Sequence, residues 1–132
     1  MAKKILIIDD EPDMLEILKF RLEKNGYKIT TASSGEEGLK KAEKVNPDLI
    51  LLDILLPGMS GLEVVKRMKK NRATKNIPII MVTALISRDV KTEGLNNGAE
   101  YLISKPFDPA ELLAEIKNVI EGKETIKIKK TR

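Results

Sequence analysis

Short apolar runs that end at acidic residues are the feature that most restricts the fold of this sequence. Ile5–Ile8 stops at Asp9, and Leu49–Leu52 stops at Asp53. Short runs of β-branched and leucine residues bounded by turn residues predict buried strands. The residues between them repeat apolar side chains at helical spacing, and strands that alternate with helices predict a parallel sheet. We therefore expect an α/β fold, built as a single doubly wound sheet with helices on both faces.

The pattern resolves into five strand–helix units. We predict strands at Lys3–Ile8, Lys28–Ala32, Asp48–Asp53, Ile77–Val82 and Glu100–Ser104. Residues suited to the first turn or cap of a helix follow each strand, namely Pro12, Ser33-Ser34, Ser60, Ser87 and Asp108. In the first helix, helical spacing predicts one apolar face made of Met14, Ile17, Leu18 and Leu22.

Charged and hydroxyl side chains follow the apolar runs. Asp9, Asp10 and Asp53 come after strands, Thr83 follows the fourth run, and Lys105 follows a short fifth run. The carboxyl ends of parallel strands share one edge of a sheet, and ligands bind at that edge. Carboxylate oxygens suit Mg²⁺, whereas an ammonium group and a hydroxyl suit a phosphate. Each residue alone is an ordinary strand end or helix start, but the combination predicts a site for a divalent metal and a phosphate.

Composition excludes several kinds of chemistry. The chain has no histidine, which excludes a Ser-His-Asp triad, the usual zinc sites and a phosphohistidine on this chain. It has no cysteine, which excludes disulfides and thiol chemistry. No run reaches the roughly 18 apolar residues of a membrane span, and no signal-peptide pattern follows Met1. We therefore expect a cytoplasmic protein.

The net charge of +4 is concentrated at the end of the chain. Residues 123–132 carry five of the 24 basic residues and one of the 20 acidic residues, so the remainder is neutral. We therefore divide the chain into a folded domain at 1–122 and a basic tail or linker start at 123–132. A neutral body predicts no direct nucleic-acid binding by the folded domain.

Several short motifs, in this order and at these spacings, resemble the receiver domain of two-component response regulators. They are Asp9-Asp10, Asp53 with Leu56-Pro57 and Gly61, Thr83-Ala84, and Lys105-Pro106-Phe107. The resemblance covers about residues 3–121. It implies the flavodoxin-like strand order 2-1-3-4-5 of the chemotaxis member of that family.

The resemblance also implies a role for each site residue. Asp53 would be the phosphoacceptor, and Mg²⁺ would be held by Asp9, Asp10, Asp53 and the backbone carbonyl of Leu55. Lys105, joined to Pro106 by a cis bond, would pair with Asp53 and then with its phosphoryl group, while Thr83 would bond a phosphoryl oxygen. The chain would be a phosphoacceptor switch with self-catalysed phosphotransfer and autodephosphorylation, not a conventional enzyme.

One position departs from the family pattern. Family members commonly carry a switch aromatic three residues before the lysine, where this chain has Leu102. The tyrosine is Tyr101, which a regular strand would place on the opposite face. Leu102 is thus the candidate second switch residue beside Thr83.

The partners implied are a histidine kinase or a histidine phosphotransfer protein as donor, and a downstream protein. The output face would comprise the helix Ser87–Asn96, the fifth strand and the last helix, and could support a phosphorylation-dependent homodimer. The chain is either a stand-alone receiver or part of a longer regulator.

Two other functions stay open from the sequence. A phosphorylation-independent binding module would show no labelling by small phosphodonors. A Mg²⁺-dependent aspartyl phosphohydrolase would sustain turnover, but such haloacid-dehalogenase-like enzymes carry an Asp-x-Asp pair and a cap, whereas Asp9 and Asp10 are adjacent.

Overall fold

The computed structural model describes residues 2–84 and 88–122. Its elements are β1 (Lys4–Ile8), α1 (Pro12–Lys24), β2 (Lys28–Ala32), α2 (Gly35–Val45), β3 (Leu49–Leu52), α3 (Gly61–Lys70), β4 (Ile79–Thr83), α4 (Arg88–Asn96), β5 (Tyr101–Ser104) and α5 (Pro109–Glu121). The predicted cap Ser87 and the tail at 123–132 lie outside the described residues. No helix in the described ranges has the length and apolar character to cross a membrane.

All five strands are parallel and lie in the order β2-β1-β3-β4-β5, which confirms the predicted fold. Strand register matters most for the site. Ile8 on β1 pairs with Leu52 on β3, so the residues that follow, Asp9 and Asp53, leave neighbouring strands at the same level.

The core has two layers, because side chains of a buried strand alternate between the faces of the sheet. Leu6 and Ile8 of β1 face one layer, which α2 and α3 cover. Ile5 and Ile7 face the other layer, which α1 and α5 cover. Strands buried on both faces are what the continuous apolar runs predicted.

Helix starts follow the predicted capping residues. The side chains of Ser34, Ser60 and Asp108 accept hydrogen bonds from the backbone amides of Glu37, Glu63 and Ala110. In a full capping box, an acidic side chain three residues later also accepts a hydrogen bond from the backbone amide of the capping residue. That second bond is absent from these described helix starts. Glu37 accepts from the Ser33 amide instead, and Glu63 pairs with Arg67.

Four strands have bounds that differ from the prediction. The third begins at Leu49, and the preceding Asp48 accepts a hydrogen bond on its carboxylate from the Lys4 amide at 2.8 Å. The fourth begins at Ile79, since Ile77 belongs to a turn in which its amide donates a hydrogen bond to the Thr74 carbonyl. The first and fifth strands each begin one residue later than predicted, at Lys4 and Tyr101.

The predicted apolar face of α1 was wrong at one residue. Leu18 and Leu22 are buried, but Ile17 is 55% exposed. Adjacent helical residues are about 100° apart around the axis, so burial of Leu18 turns its neighbour outward.

Candidate phosphoacceptor and metal site

Three carboxylates meet at the carboxyl edge of the sheet. Asp9 follows β1 and Asp53 follows the adjacent β3, and both residues are buried, whereas Asp10 is exposed. Each offers one oxygen, and these three oxygens lie within 4.8 Å of one another. The predicted acidic residues therefore come together, in a set of hard oxygen donors that fits Mg²⁺.

Backbone amides orient the two buried carboxylates. The Glu11 amide donates to Asp9 Oδ1 at 2.9 Å, and the Leu55 amide donates to Asp53 Oδ1 at 3.0 Å. Each bond closes a turn directly after a strand, so the local chain direction sets the side-chain direction. The Oδ2 atoms of both residues face the same ammonium group.

That ammonium belongs to Lys105, which follows β5. Its Nζ lies 2.8 Å from Asp9 Oδ2 and 3.0 Å from Asp53 Oδ2, and its side chain is 10% exposed. The Lys105 amide donates to the Thr83 carbonyl at 2.9 Å, and the Lys105-Pro106 bond is cis. Both the lysine–aspartate contact and the cis bond agree with the sequence-based expectation.

Burial and hydrogen bonding act in opposite directions on the pKa values of the charged groups in the cluster. Burial raises the pKa of the Asp9 carboxyl above its usual value, although hydrogen bonds from Lys105 and the Glu11 amide work against this rise. Burial would lower the pKa of Lys105, but its hydrogen bonds to Asp9, Glu11 and Asp53 outweigh burial and raise the pKa above its usual range. Lys105 therefore remains an ammonium cation over the physiological pH range.

A third acidic partner of Lys105 is Glu11, which the sequence did not single out as a site residue. Its Oε1 lies 2.9 Å from Lys105 Nζ, while its side chain is 60% exposed. The one sequence feature that could have indicated this role is its position immediately after the Asp9-Asp10 pair. Because Lys105 lies 94 residues away in the chain, the contact itself could not be read from spacing.

Thr83 and Leu102 lie on the two strands at the edge of the sheet nearest Lys105. Thr83 is the last residue of β4 and is fully buried. Leu102 packs against the layer that contains Met81, whereas Tyr101 packs against the opposite layer, as predicted. Leu55 lies in the turn after Asp53, with its side chain 52% exposed.

Gly61 explains how α3 approaches the turn after Asp53. A β-carbon at Gly61 would collide with the Asp53 carbonyl oxygen and lie 2.5 Å from the Ile54 α-carbon. The Gly61 amide also donates to the Ile54 carbonyl at 2.9 Å. The start of α3 therefore packs directly against the backbone that carries Asp53.

Helix α4 is also held at a close approach that sequence reasoning missed. A β-carbon at Gly94 would collide with the end of the Met81 side chain on β4. Gly94 thus lets α4 lie close to the sheet where the helix has few apolar residues.

Comparisons with known proteins agree with this geometry. The family model described as response regulator receiver domain matches residues 5–117. The alkaline phosphatase synthesis transcriptional regulatory protein PhoP of Bacillus subtilis (strain 168) is 44% identical over 124 residues, covering 94% of this chain and 51% of that protein. The phosphate regulon transcriptional regulatory protein PhoB of Escherichia coli (strain K12) is 40% identical over 120 residues, covering 91% and 52%. The chain spans about half the length of these two relatives.

Solved structures resemble the chain over nearly its whole length. The response regulator receiver domain protein (CheY-like) from Methanospirillum hungatei JF-1 has a TM-score of 0.88 and 38% identity, covering 95% of this chain and 98% of that one. The BeF3-activated DrrB receiver domain has a TM-score of 0.82 and 30% identity, covering 92% and 99%.

Proposed function

Because this chain belongs to the response regulator receiver domain family, we propose that Asp53 accepts a phosphoryl group from a phosphohistidine donor and thereby switches the conformation of the domain. One observation carries the proposal: buried carboxylates from neighbouring strands share the ammonium of Lys105. A structural ion pair alone needs one acid, whereas phosphoryl transfer to an acid needs neighbouring groups that offset negative charge.

Asp53 is the acid best placed to be the nucleophile. Its Oδ1 is held by the Leu55 amide and its Oδ2 by Lys105, so the carboxylate has a set orientation at the open edge of the sheet. In the reaction, a bond forms between an Asp53 oxygen and phosphorus while the bond from phosphorus to the donor histidine nitrogen breaks. Positioning contributes much of the rate of such a transfer, since little other covalent chemistry is required.

Asp9, Asp10, Asp53 and the Leu55 carbonyl would hold Mg²⁺. When bound there, Mg²⁺ would offset charge repulsion between the phosphoryl group and the carboxylate cluster. With Mg²⁺ bound, the same residues would serve both phosphotransfer to Asp53 and autodephosphorylation by water.

The switch would run through Lys105, Thr83 and Leu102. A phosphoryl group carries nearly two negative charges and several acceptor oxygens, which would draw the Lys105 ammonium and the Thr83 hydroxyl toward it. Thr83 ends β4, and Leu102 lies on the neighbouring β5, so movement at the site would reach α4, β5 and α5. These elements form the proposed output face, for a downstream protein or for a second copy of the chain.

The proposal extends to partners and organisation. The donor is a histidine kinase or a histidine phosphotransfer protein, which places the domain in the cytoplasm. Residues 1–122 form the receiver, and 123–132 form a basic tail or linker start. Two relatives are described as transcriptional regulatory proteins, so control of transcription through a linked output domain is the activity we propose for a longer form.

Acetyl phosphate and Mg²⁺ provide the direct test, followed by intact-mass measurement and peptide mapping. We expect one phosphoryl group per chain, in the peptide that contains Asp53. Sustained hydrolysis of an added phosphate ester would instead favour a phosphohydrolase. The absence of any label, with the fold intact, would favour a phosphorylation-independent binding module.

A further inference from the structure

Every proton of the Lys105 ammonium already has an acceptor. An ammonium group has three N–H donors. Three carboxylate oxygens, from Asp9, Glu11 and Asp53, lie between 2.8 and 3.0 Å from Nζ. An oxygen of an incoming phosphoryl group therefore gains a hydrogen bond from Lys105 only when one of these three contacts breaks.

The three contacts differ in how easily they break. The Asp9 and Asp53 side chains are 4% and 6% exposed, and a backbone amide holds the other oxygen of each. The Glu11 side chain is 60% exposed, so water can solvate its carboxylate as soon as it leaves Lys105. Until the bond to phosphorus forms, Asp53 is still an ionised carboxylate, and breaking a buried pair leaves an uncompensated charge. Contacts of exposed carboxylates contribute little net free energy.

We infer that Glu11 is an exchangeable partner of Lys105, which contacts the lysine in the resting state and is displaced by the incoming phosphoryl group before its transfer to Asp53. Glu11 is thus a positioning residue that acts through Lys105, and its negative charge opposes phosphoryl uptake. The inference rests on the proposed function. It adds that Glu11, the residue immediately before α1, slows phosphorylation of Asp53.

Two substitutions near the start of α1, each of which removes one negative charge, distinguish the contact of Glu11 with Lys105 from a change in overall charge near the site. Glu11→Gln removes the carboxylate that contacts Lys105. Asp13→Asn is the matched control, because Asp13 is an exposed acid in the first turn of the same helix and forms no ion pair within the described ranges. Labelling by acetyl phosphate is compared at a Mg²⁺ concentration that saturates each variant, so that any difference in metal affinity does not enter the rate.

We expect Glu11→Gln to be labelled about three- to fivefold faster than the unsubstituted protein, and Asp13→Asn to stay within about twofold. The gain should vanish when Glu11→Gln is combined with Lys105→Ala, since the effect runs through the lysine. A second readout needs no metal. In Mg²⁺-free protein, ¹⁵N-edited NMR should show faster water exchange of the Lys105 ammonium protons in Glu11→Gln but not in Asp13→Asn.

The outcomes separate this inference from the proposed function. Labelling at Asp53 that is equal or slower in Glu11→Gln, or equally accelerated in both variants, overturns the role of Glu11 and leaves the switch intact. A complete absence of labelling at Asp53 in the unsubstituted protein overturns both.

Discussion

The ammonium nitrogen of Lys105 lies 3.0 Å from Oδ2 of Asp53, although 52 residues separate them in the chain. The two residues follow different strands of one parallel sheet, with β4 between those strands. Their meeting therefore depends on the sheet as a whole, and this contact links the proposed phosphorylation site to the edge strand β5.

Asp53→Asn is expected to abolish labelling by acetyl phosphate, because an amide has no carboxylate oxygen to form an acyl phosphate. The fold should remain, since an asparagine side chain can still accept the Leu55 amide hydrogen bond. Intact mass and peptide mapping measure the label, and circular dichroism checks the fold. Asp89→Asn, at an exposed acid of α4, should label normally. Persistent label in the same peptide of Asp53→Asn would contradict the assignment.

Asp10→Asn is expected to weaken Mg²⁺ binding by about tenfold or more, because it removes an oxygen donor of the acidic cluster. Stability should change little, as Asp10 is exposed. Isothermal titration calorimetry gives the affinity, with Asp13→Asn as the control for loss of one negative charge near the site. Equal affinities in these two variants would exclude Asp10 as a ligand.

Lys105→Met should lower the free energy of unfolding by about 3 kcal/mol at neutral pH, because buried acids lose their counter-ion. The folded-state pKa of Lys105 lies above its usual value of 10.5, so the folded chain holds this proton more tightly than the unfolded chain. The stabilisation is therefore fully present below pH 10.5 and is lost as the pH rises through the folded-state pKa.

Urea unfolding measured across the alkaline range checks this dependence. The stability difference between Lys105→Met and the unsubstituted protein should be constant up to about pH 10 and shrink above it. Lys19→Met removes an exposed lysine that lies 3.7 Å from Glu23 and should show little difference at any pH. A difference that shrinks already near neutral pH would contradict the raised pKa.

Thr83→Ala is expected to reduce the conformational response more than the labelling itself. The hydroxyl would bond a phosphoryl oxygen after transfer, so its loss leaves the nucleophile in place. Amide hydrogen exchange in α4 and β5, with and without acetyl phosphate, measures the response. Thr83→Ser keeps the hydroxyl and should retain it. Parallel loss of labelling and response in Thr83→Ala would instead assign Thr83 to the chemistry.

Gly61→Ala should destabilise the fold by about 1–3 kcal/mol and slow labelling, because a β-carbon there collides with the backbone that carries Asp53. Gly26→Ala is the control: no heavy atom lies within 4 Å of its added β-carbon, but its φ of +91° strains any other residue. That strain should cost about 1 kcal/mol with no effect on labelling. Denaturant midpoints and labelling rates distinguish the two, and normal labelling in Gly61→Ala would show that Asp53 tolerates the shift.

Much of the site could be predicted because its residues directly follow buried strands. Asp9, Asp53 and Lys105 each follow a predicted strand, and the edge that they share is a consequence of parallel strands. Two contacts could not be predicted. The contact of Glu11 with Lys105 depends on the direction in which α1 starts. The close approach of Gly94 to Met81 depends on the position in which α4 packs against the sheet.

Local periodicity and backbone chemistry are enough to predict the alternation of strands and helices, the capped starts of helices and the identity of the acids at the strand ends. The exposure of Ile17, the contact of Glu11 with the cluster and the sharing of one ammonium by three carboxylates are visible only in the folded chain. Those outcomes depend on strand register and helix rotation, which arise from packing between segments far apart in the chain.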